Sequence, residues 1–169
     1  MAELRKGKCY SVIKRAYTRK SKFKTKGFVK AIPPSKIVKF DMGDTKKEFP
    51  CKVNLISKDS VQIRSNALES ARQVINRRLT KHLGPFGFGM KVNAYPHHVL
   101  RENKMLTGAG SDRMQTGMAH SFGKAIGTAA QVKKGKTIIS VFVEEKDKNI
   151  ALECLMLAAP RLPCRCIAM

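Results

Sequence analysis

Residues 1–30 carry eleven lysines and arginines against one acid, Glu3, a net charge of +10. Like charges at that density repel along the chain, so something outside the segment must offset them before it becomes compact. Gly27 and the run Lys24-Thr25-Lys26 favour no stable helix. The sequence therefore predicts an extended basic arm over residues 1–30 and a single globular domain over 31–169. Residues 31–169 hold 23 basic and eleven acidic side chains, and the whole chain stands at +22. That exceeds what solubility needs. A polyanion relieves it, because each Lys or Arg that meets a phosphate releases a condensed counterion. An acidic membrane surface fits less well, since no basic helix with an apolar face is visible. Tyr10, Tyr17, Phe23 and Phe28 interleave with the cations. Their rings can stack on bases or sit in RNA grooves. Tucked back onto the domain, they would instead leave a solvated tail.

Hydrophobic residues make up 43% of the chain, enough for a core. No window of 18 apolar residues spans a membrane, and the N-terminus has no apolar signal core. A secreted or membrane protein is disfavoured. The five cysteines are odd in number and irregular in spacing, with no C-x-x-C pair. They read as reduced, buried thiols, with Cys164 and Cys166 on one face if their segment is a strand. His97 and His98 are neighbours that point apart on a strand, and His82 and His120 lack partners at ligand spacing. No metal or cofactor is expected.

Along the chain, Ile37–Phe40 predicts a short strand closed by a turn at Asp41–Asp44. Phe49, Cys51, Val53 and Leu55 alternate with Pro50, Lys52 and Asn54, which marks a strand with one buried face. Val61–Ile63 predicts another short extended piece. A helix follows, with Leu68, Ala71, Ile75 and Leu79 on one stripe. Asn66-x-x-Glu69 resembles a capping box, and Gly84-Pro85 stops the helix. Phe88, Met90, Val92 and Ala94 alternate again. The segment 101–117 has no apolar period and is glycine-rich and basic, the mark of a functional or disordered loop. Gly127–Val132 and Thr137–Val143 predict a hairpin around Lys133-Lys134-Gly135-Lys136. Asp147 or Asn149 starts a second helix, Ile150–Ala159, apolar nearly all round, and 164–169 predicts a last strand. The fold class is α+β, with two helices packed on a mixed, mostly antiparallel sheet.

Catalytic patterns are thin. Gly84–Gly89 precedes a strand instead of opening a helix, so it fails as a dinucleotide loop. Thr107–Asp112 lacks the Gly-Lys-Ser/Thr ending of a phosphate loop. A metal-dependent nuclease built on His97, His98, Glu102 and Asp112 is the enzymatic alternative, with no supporting spacing. A free RNA chaperone with a basic arm is the other alternative.

Longer motifs carry more. Tyr95–Met105, Thr107–Met114, Gln115–Met118, Phe122-Gly123-Lys124 and Gly127–Val132 resemble the universal large-ribosomal-subunit protein family called sixteen in bacteria and ten-e in archaea and eukaryotes. Cys9-Tyr10, Tyr17-Thr18-Arg19, Ile32-Pro33, Phe40–Gly43, Gln62–Arg64 and Asn66–Glu69 extend the resemblance over essentially the whole chain. Ala125-Ile126 departs from it, standing where many members have proline. The short C-terminal ending and the Tyr-Pro-His-His run look archaeal.

The resemblance implies a two-layer α/β sandwich in the cytoplasmic ribosome, with no enzymatic activity and no homo-oligomer. Its implied partners are large-subunit rRNA, the 5S rRNA neighbourhood at the central protuberance, A-site and P-site tRNA, and neighbouring ribosomal proteins. The expected rRNA-binding residues are Arg15, Arg19, Lys20, Lys22, Lys24, Lys26, Arg64, Arg72, Arg77, Arg78, Lys81 and Lys124. The loop over about 101–118 is expected to face tRNA through Arg101, Lys104, Gly108, Gly110 and Arg113. Without RNA, the arm over residues 1–30 is expected to stay unfolded.

Overall fold

The structure, a computed structural model, describes residues 6–18, 23, 25, 27, 29, 31–102 and 123–169. Lys104, Gly108, Gly110, Arg113, Asp112, Arg19, Lys20, Lys22, Lys24 and Lys26 lie outside the described residues. In chain order the elements are β1 (Asp41–Gly43), β2 (Cys51–Ser57), β3 (Val61–Arg64), α1 (Ser65–Leu83), β4 (Gly89–Val92) and β5 (His98–Glu102). They continue as β6 (Lys124–Val132), β7 (Thr137–Val143), α2 (Lys148–Ala158) and β8 (Cys166–Ala168).

The fold is α+β, and its strands divide between two sheets. One has five strands in the order β1-β4-β7-β2-β8, the other three in the order β3-β6-β5. Every described pair is antiparallel. The sheets meet where two neighbouring strands turn a corner together. β2 pairs with β7 up to the corner, and β3 pairs with β6 beyond it. At the corner, Ser57 N–H donates to the Lys136 carbonyl at 3.1 Å and Gly135 N–H to the Ser57 carbonyl at 2.8 Å. These bonds satisfy backbone groups that the bend takes out of the ladder.

This corner corrects the expected hairpin. The turn at Lys133–Lys136 exists and is closed by Lys136 N–H to the Lys133 carbonyl at 3.1 Å. Yet β6 and β7 do not pair with each other, because the turn carries the chain from one sheet into the other.

The two helices fill the angle between the sheets. α2 packs on β2, β7 and β8, while α1 packs on α2, β3 and β6. Leu68, Ala71, Ile75 and Leu79 of α1 are fully buried, as their spacing predicts. They share one core with Val53, Leu55, Ile63, Val132, Ile139, Val141 and Leu155. Each such aliphatic side chain contributes roughly 1.5–3 kcal/mol by leaving water. α2 is less buried than its composition predicts. Ala151, Cys154, Leu155 and Ala158 face the core, but Met156 and Leu157 are 48% and 47% exposed.

Three local readings shift. The segment Ile37–Phe40 forms no strand, and its predicted turn becomes β1 against β4. The turn moves on to Asp44, whose Oδ1 accepts from the N–H groups of Lys46 at 2.9 Å and Lys47 at 3.2 Å. Gly43, at φ +76°, permits the bend, and a Cβ there would meet the Phe88 carbonyl oxygen. The Asn66–Glu69 capping box does not form. α1 springs directly from β3 with Arg64 at its N-cap and no side-chain cap, while Glu69 turns to Arg72 and Gln73. Of the thiols, only Cys154 is buried and Cys9 is exposed. Cys164 and Cys166 do share a face, with sulfurs 3.5 Å apart.

Candidate nucleic-acid interface

The N-terminal segment is not simply an arm held off the body. Residues 6–18 cross the outer face of the three-stranded sheet as a strap. The sequence explains the attachment. On β3, Ile63 faces the core, so Gln62 and Arg64 project from the opposite face; their ladder partners Gln131 and Ala129 share it, as does His98 beside Ala129. That outer face is polar, and the strap satisfies it strand by strand. Over β3, Gln62 Nε2 donates to the Tyr10 carbonyl at 2.9 Å and Gln62 N–H to the Ser11 carbonyl at 2.8 Å. Over β6, Gln131 Nε2 donates to the Lys14 carbonyl at 2.7 Å. Over β5, Tyr17 N–H donates to His98 Nδ1 at 2.7 Å, and Val99 N–H donates to the Tyr17 carbonyl at 3.3 Å.

Both strap tyrosines are held by charge. The Tyr10 hydroxyl donates to Glu102 Oε2 at 3.2 Å, and the Arg64 guanidinium lies 5.8 Å from the Tyr10 ring centre. Arg101 lies 3.9 Å from the Tyr17 ring centre. A cation over an aromatic face gains from the ring quadrupole. These two rings are therefore engaged within the protein, while Phe23 is exposed and Phe28 lies outside the described residues. Burial, then the charge of Arg101, lowers the His98 pKa. A neutral imidazole is what the Tyr17 bond requires, since Nδ1 accepts there.

The expected cationic residues fall into three situations. Arg15 on the strap, Arg77, Arg78 and Lys81 on α1, and Lys124 at the start of β6 are exposed. Arg64 and Arg101 are half-buried and hold the strap. Arg72 is folded onto its own helix, with Nε 2.8 Å from Glu69 Oε2 and Nη1 2.8 Å from the sulfur of Met42. The pairing lowers the Glu69 pKa and raises that of Arg72, chiefly through their hydrogen bond. Elsewhere Lys47 and Lys146 share Glu144, whose carboxyl their hydrogen bonds and charge hold at about 2, and Arg165 pairs with Asp59 at 3.0 Å.

Among the described residues, Arg77, Arg78 and Lys81 have no such carboxylate. Spacings of three and four put Arg78 and Arg77 beside Lys81 on the helix surface, where each like-charge contact costs about 0.2–0.5 kcal/mol. The structure thus leaves one face of α1 electrostatically unsatisfied. A polyanion satisfies it. Arg161, from the turn after α2, joins this face and was not singled out in the sequence, because it lies far along the chain from Lys81. Gln62 and Gln131 were also missed, since an uncharged amide in an alternating strand gives no signal of what it clamps.

Of the nuclease reading, Asp112 lies outside the described residues, and the described His97, His98 and Glu102 are not assembled as a reactive group. His98 and Glu102 both bond to the strap, and exposed His97 lies against the Tyr95 ring, 4.6 Å between centres. Among the described residues, no three His, Cys, Asp or Glu side chains gather as metal ligands. No described helix is long and apolar enough to cross a membrane.

Known proteins match this chain over most of its length. The family model described as ribosomal protein L16p/L10e matches residues 13–169. The large ribosomal subunit protein uL16 of Methanococcus maripaludis is 44% identical over 164 residues, covering 96% of this chain and 91% of that protein. The protein of the same name from Methanococcus aeolicus matches with the same identity and coverage. That of Methanospirillum hungatei is 44% identical over 153 residues, 90% of this chain and 86% of its own length. The strap from residue 13 onward, both sheets and both helices all lie inside the matched span, and the chain belongs to the L16p/L10e family of ribosomal proteins.

Proposed function

We propose that this chain is a structural constituent of the large ribosomal subunit, where it binds rRNA and carries out no chemistry of its own. Its family membership over residues 13–169 carries the reading. The physical surface fits it. A net charge of +22, with exposed cations on α1 and the strap, suits a protein embedded in folded RNA. Of the expected residues, Arg15, Arg77, Arg78, Lys81 and Lys124 are exposed and can meet phosphates. Arg64, Arg72 and Arg101 act from within, holding the strap and α1 in shape.

The same reading extends to tRNA and to the 5S rRNA neighbourhood. Glu102 at the end of β5 and Lys124 at the start of β6 are ladder partners. The connecting segment therefore leaves and returns at one end of the three-stranded sheet, beside the strap. Lys104, Gly108, Gly110 and Arg113 of this segment are its expected tRNA-facing residues. The arm residues Arg19, Lys20, Lys22, Lys24 and Lys26 follow the strap in sequence and are proposed to continue its path into rRNA.

Binding of the full chain to large-subunit rRNA across a potassium chloride series tests the reading. A phosphate-dominated interface gives a steep fall in log affinity with log salt, about 0.7–0.9 per phosphate contact. A flat slope contradicts it.

A further inference from the structure

The α1 cations do not sit on a smooth helix surface. They rim a groove of about 950 Å³ between α1 and the end of α2. Arg77, Arg78, Lys81 and Arg161 supply the charge. Val74, Leu157 and Pro160 supply an apolar lining. Leu157 of α2 is 47% exposed, and its neighbour Met156 is 48% exposed. A surface meant only for the convex backbone of a duplex needs cations and gains nothing from an exposed leucine and proline between them.

We propose that this groove takes a single RNA strand at an irregular point of the rRNA, with phosphates on the four cations and one unstacked base against Leu157, Pro160 and Val74. The inference rests on the rRNA-binding reading above and gives it a specific site and strand form. Three observations carry it. The rim cations Arg77, Arg78, Lys81 and Arg161 have no carboxylate partner among the described residues, in contrast to Lys47, Arg72, Lys146 and Arg165. Cations (Arg77, Arg78, Lys81, Arg161) and apolar side chains (Val74, Leu157, Pro160) line one concavity, which suits a strand that presents both phosphates and bases. The groove's volume of about 950 Å³ has room for a base, whereas a base in a continuous duplex is stacked and cannot reach it. An acidic peptide could also match the charge, but the chain belongs to a ribosomal-protein family, in which the polyanion at hand is RNA.

The test uses the full chain and two labelled RNA probes of equal length: a hairpin with one bulged 2-aminopurine and the same hairpin fully paired. Leu157→Ser trims the floor without changing charge. At a half-exposed position it leaves the melting temperature near that of the parent, which circular dichroism checks. The expected result is that Leu157→Ser weakens the bulged probe about threefold to tenfold, the loss of a few tens of Å² of apolar contact, and leaves the paired probe unchanged. Arg77→Ala with Arg78→Ala is expected to lower the salt slope for the bulged probe by about 1.5. The 2-aminopurine emission is expected to change on binding to the parent and not to Leu157→Ser.

Equal effects of Leu157→Ser on both probes, or on neither, overturn the proposal. So does displacement of the bulged probe by a poly-glutamate peptide more readily than by unlabelled RNA of the same charge. If the parent binds both probes with a steep salt slope while the groove variants change nothing, only this site fails and the rRNA-binding reading stands. If the parent shows no salt-dependent binding to either probe, both fail together.

Discussion

The backbone N–H of Tyr17 donates a 2.7 Å hydrogen bond to Nδ1 of His98. This bond ties the basic N-terminal segment to the strand that leads into the segment beyond Glu102. It holds only while Nδ1 carries a lone pair.

The linkage to pH has a definite sign. Burial, and secondarily Arg101, lowers the His98 pKa below its usual 6.5. Between those two values the detached strap binds more protons than the docked one, so docking strengthens as pH rises. Docking is complete above the ordinary histidine pKa and is lost as pH falls through the lowered one. Hydrogen exchange at the Val99 amide, which donates to the Tyr17 carbonyl, reads this directly. After correction for intrinsic rates, its protection is expected to drop between about pH 7.5 and about pH 5. His98→Asn, which keeps an acceptor without titrating, is expected to flatten that dependence. Equal protection at both pH values in the parent contradicts the account.

The strap's amide clamps are expected to behave as a coupled pair. Gln131 Nε2 also donates to Gln62 Oε1 at 3.2 Å, so one substitution disturbs the other's bonds. Gln62→Ala and Gln131→Ala should each cost docking about 0.5–1.5 kcal/mol, and the double variant less than the sum. The loss should appear as faster proteolysis within residues 6–18, with the main unfolding transition little moved. A large drop in global stability would show that the strap is part of the core.

On α1, opposite faces should give opposite outcomes. Leu79→Ala empties a fully buried site and should destabilise by about 2–5 kcal/mol in urea unfolding. Arg78→Ala removes an exposed cation from a like-charged cluster and should lie within about 0.5 kcal/mol of the parent, or slightly above it. A strongly destabilised Arg78→Ala would mean the cation has an internal partner.

Two glycines with similar backbone angles separate conformation from crowding. Gly43 has φ +76° and Gly135 φ +79°, but only at Gly43 would a Cβ meet a backbone carbonyl, that of Phe88. Gly135→Ala should cost about 1–2 kcal/mol for the left-handed conformation alone. Gly43→Ala should exceed it by about 1 kcal/mol or more, because the β1–β4 edge must shift. Equal unfolding midpoints for the two variants would contradict this difference.

What the sequence revealed follows the range of the forces involved. The stripe Leu68, Ala71, Ile75 and Leu79, and the alternation through Val53 and Leu55, are local records of burial, and each reads correctly. Pairing partners are not local. Lys133–Lys136 has the residues of a hairpin turn, but nothing near it encodes that β6 continues into a different sheet from β7. β5 went unseen because His98, Arg101 and Glu102 give it a polar pattern, and those same residues hold the strap. The cationic character of the interface was plain from charge alone. Which cations are available was not, because Arg72 and Arg78 look equivalent until Glu69 is seen to hold one of them.

The central claim is that this chain's surplus positive charge exists to be enclosed by large-subunit rRNA. Quantifying the protein across a sucrose gradient of extract from cells that express it, at moderate salt, tests this most directly. The account predicts one copy per large subunit, retained in translating ribosomes. Recovery of most of the protein at the top of the gradient, free of large-subunit rRNA, would contradict it.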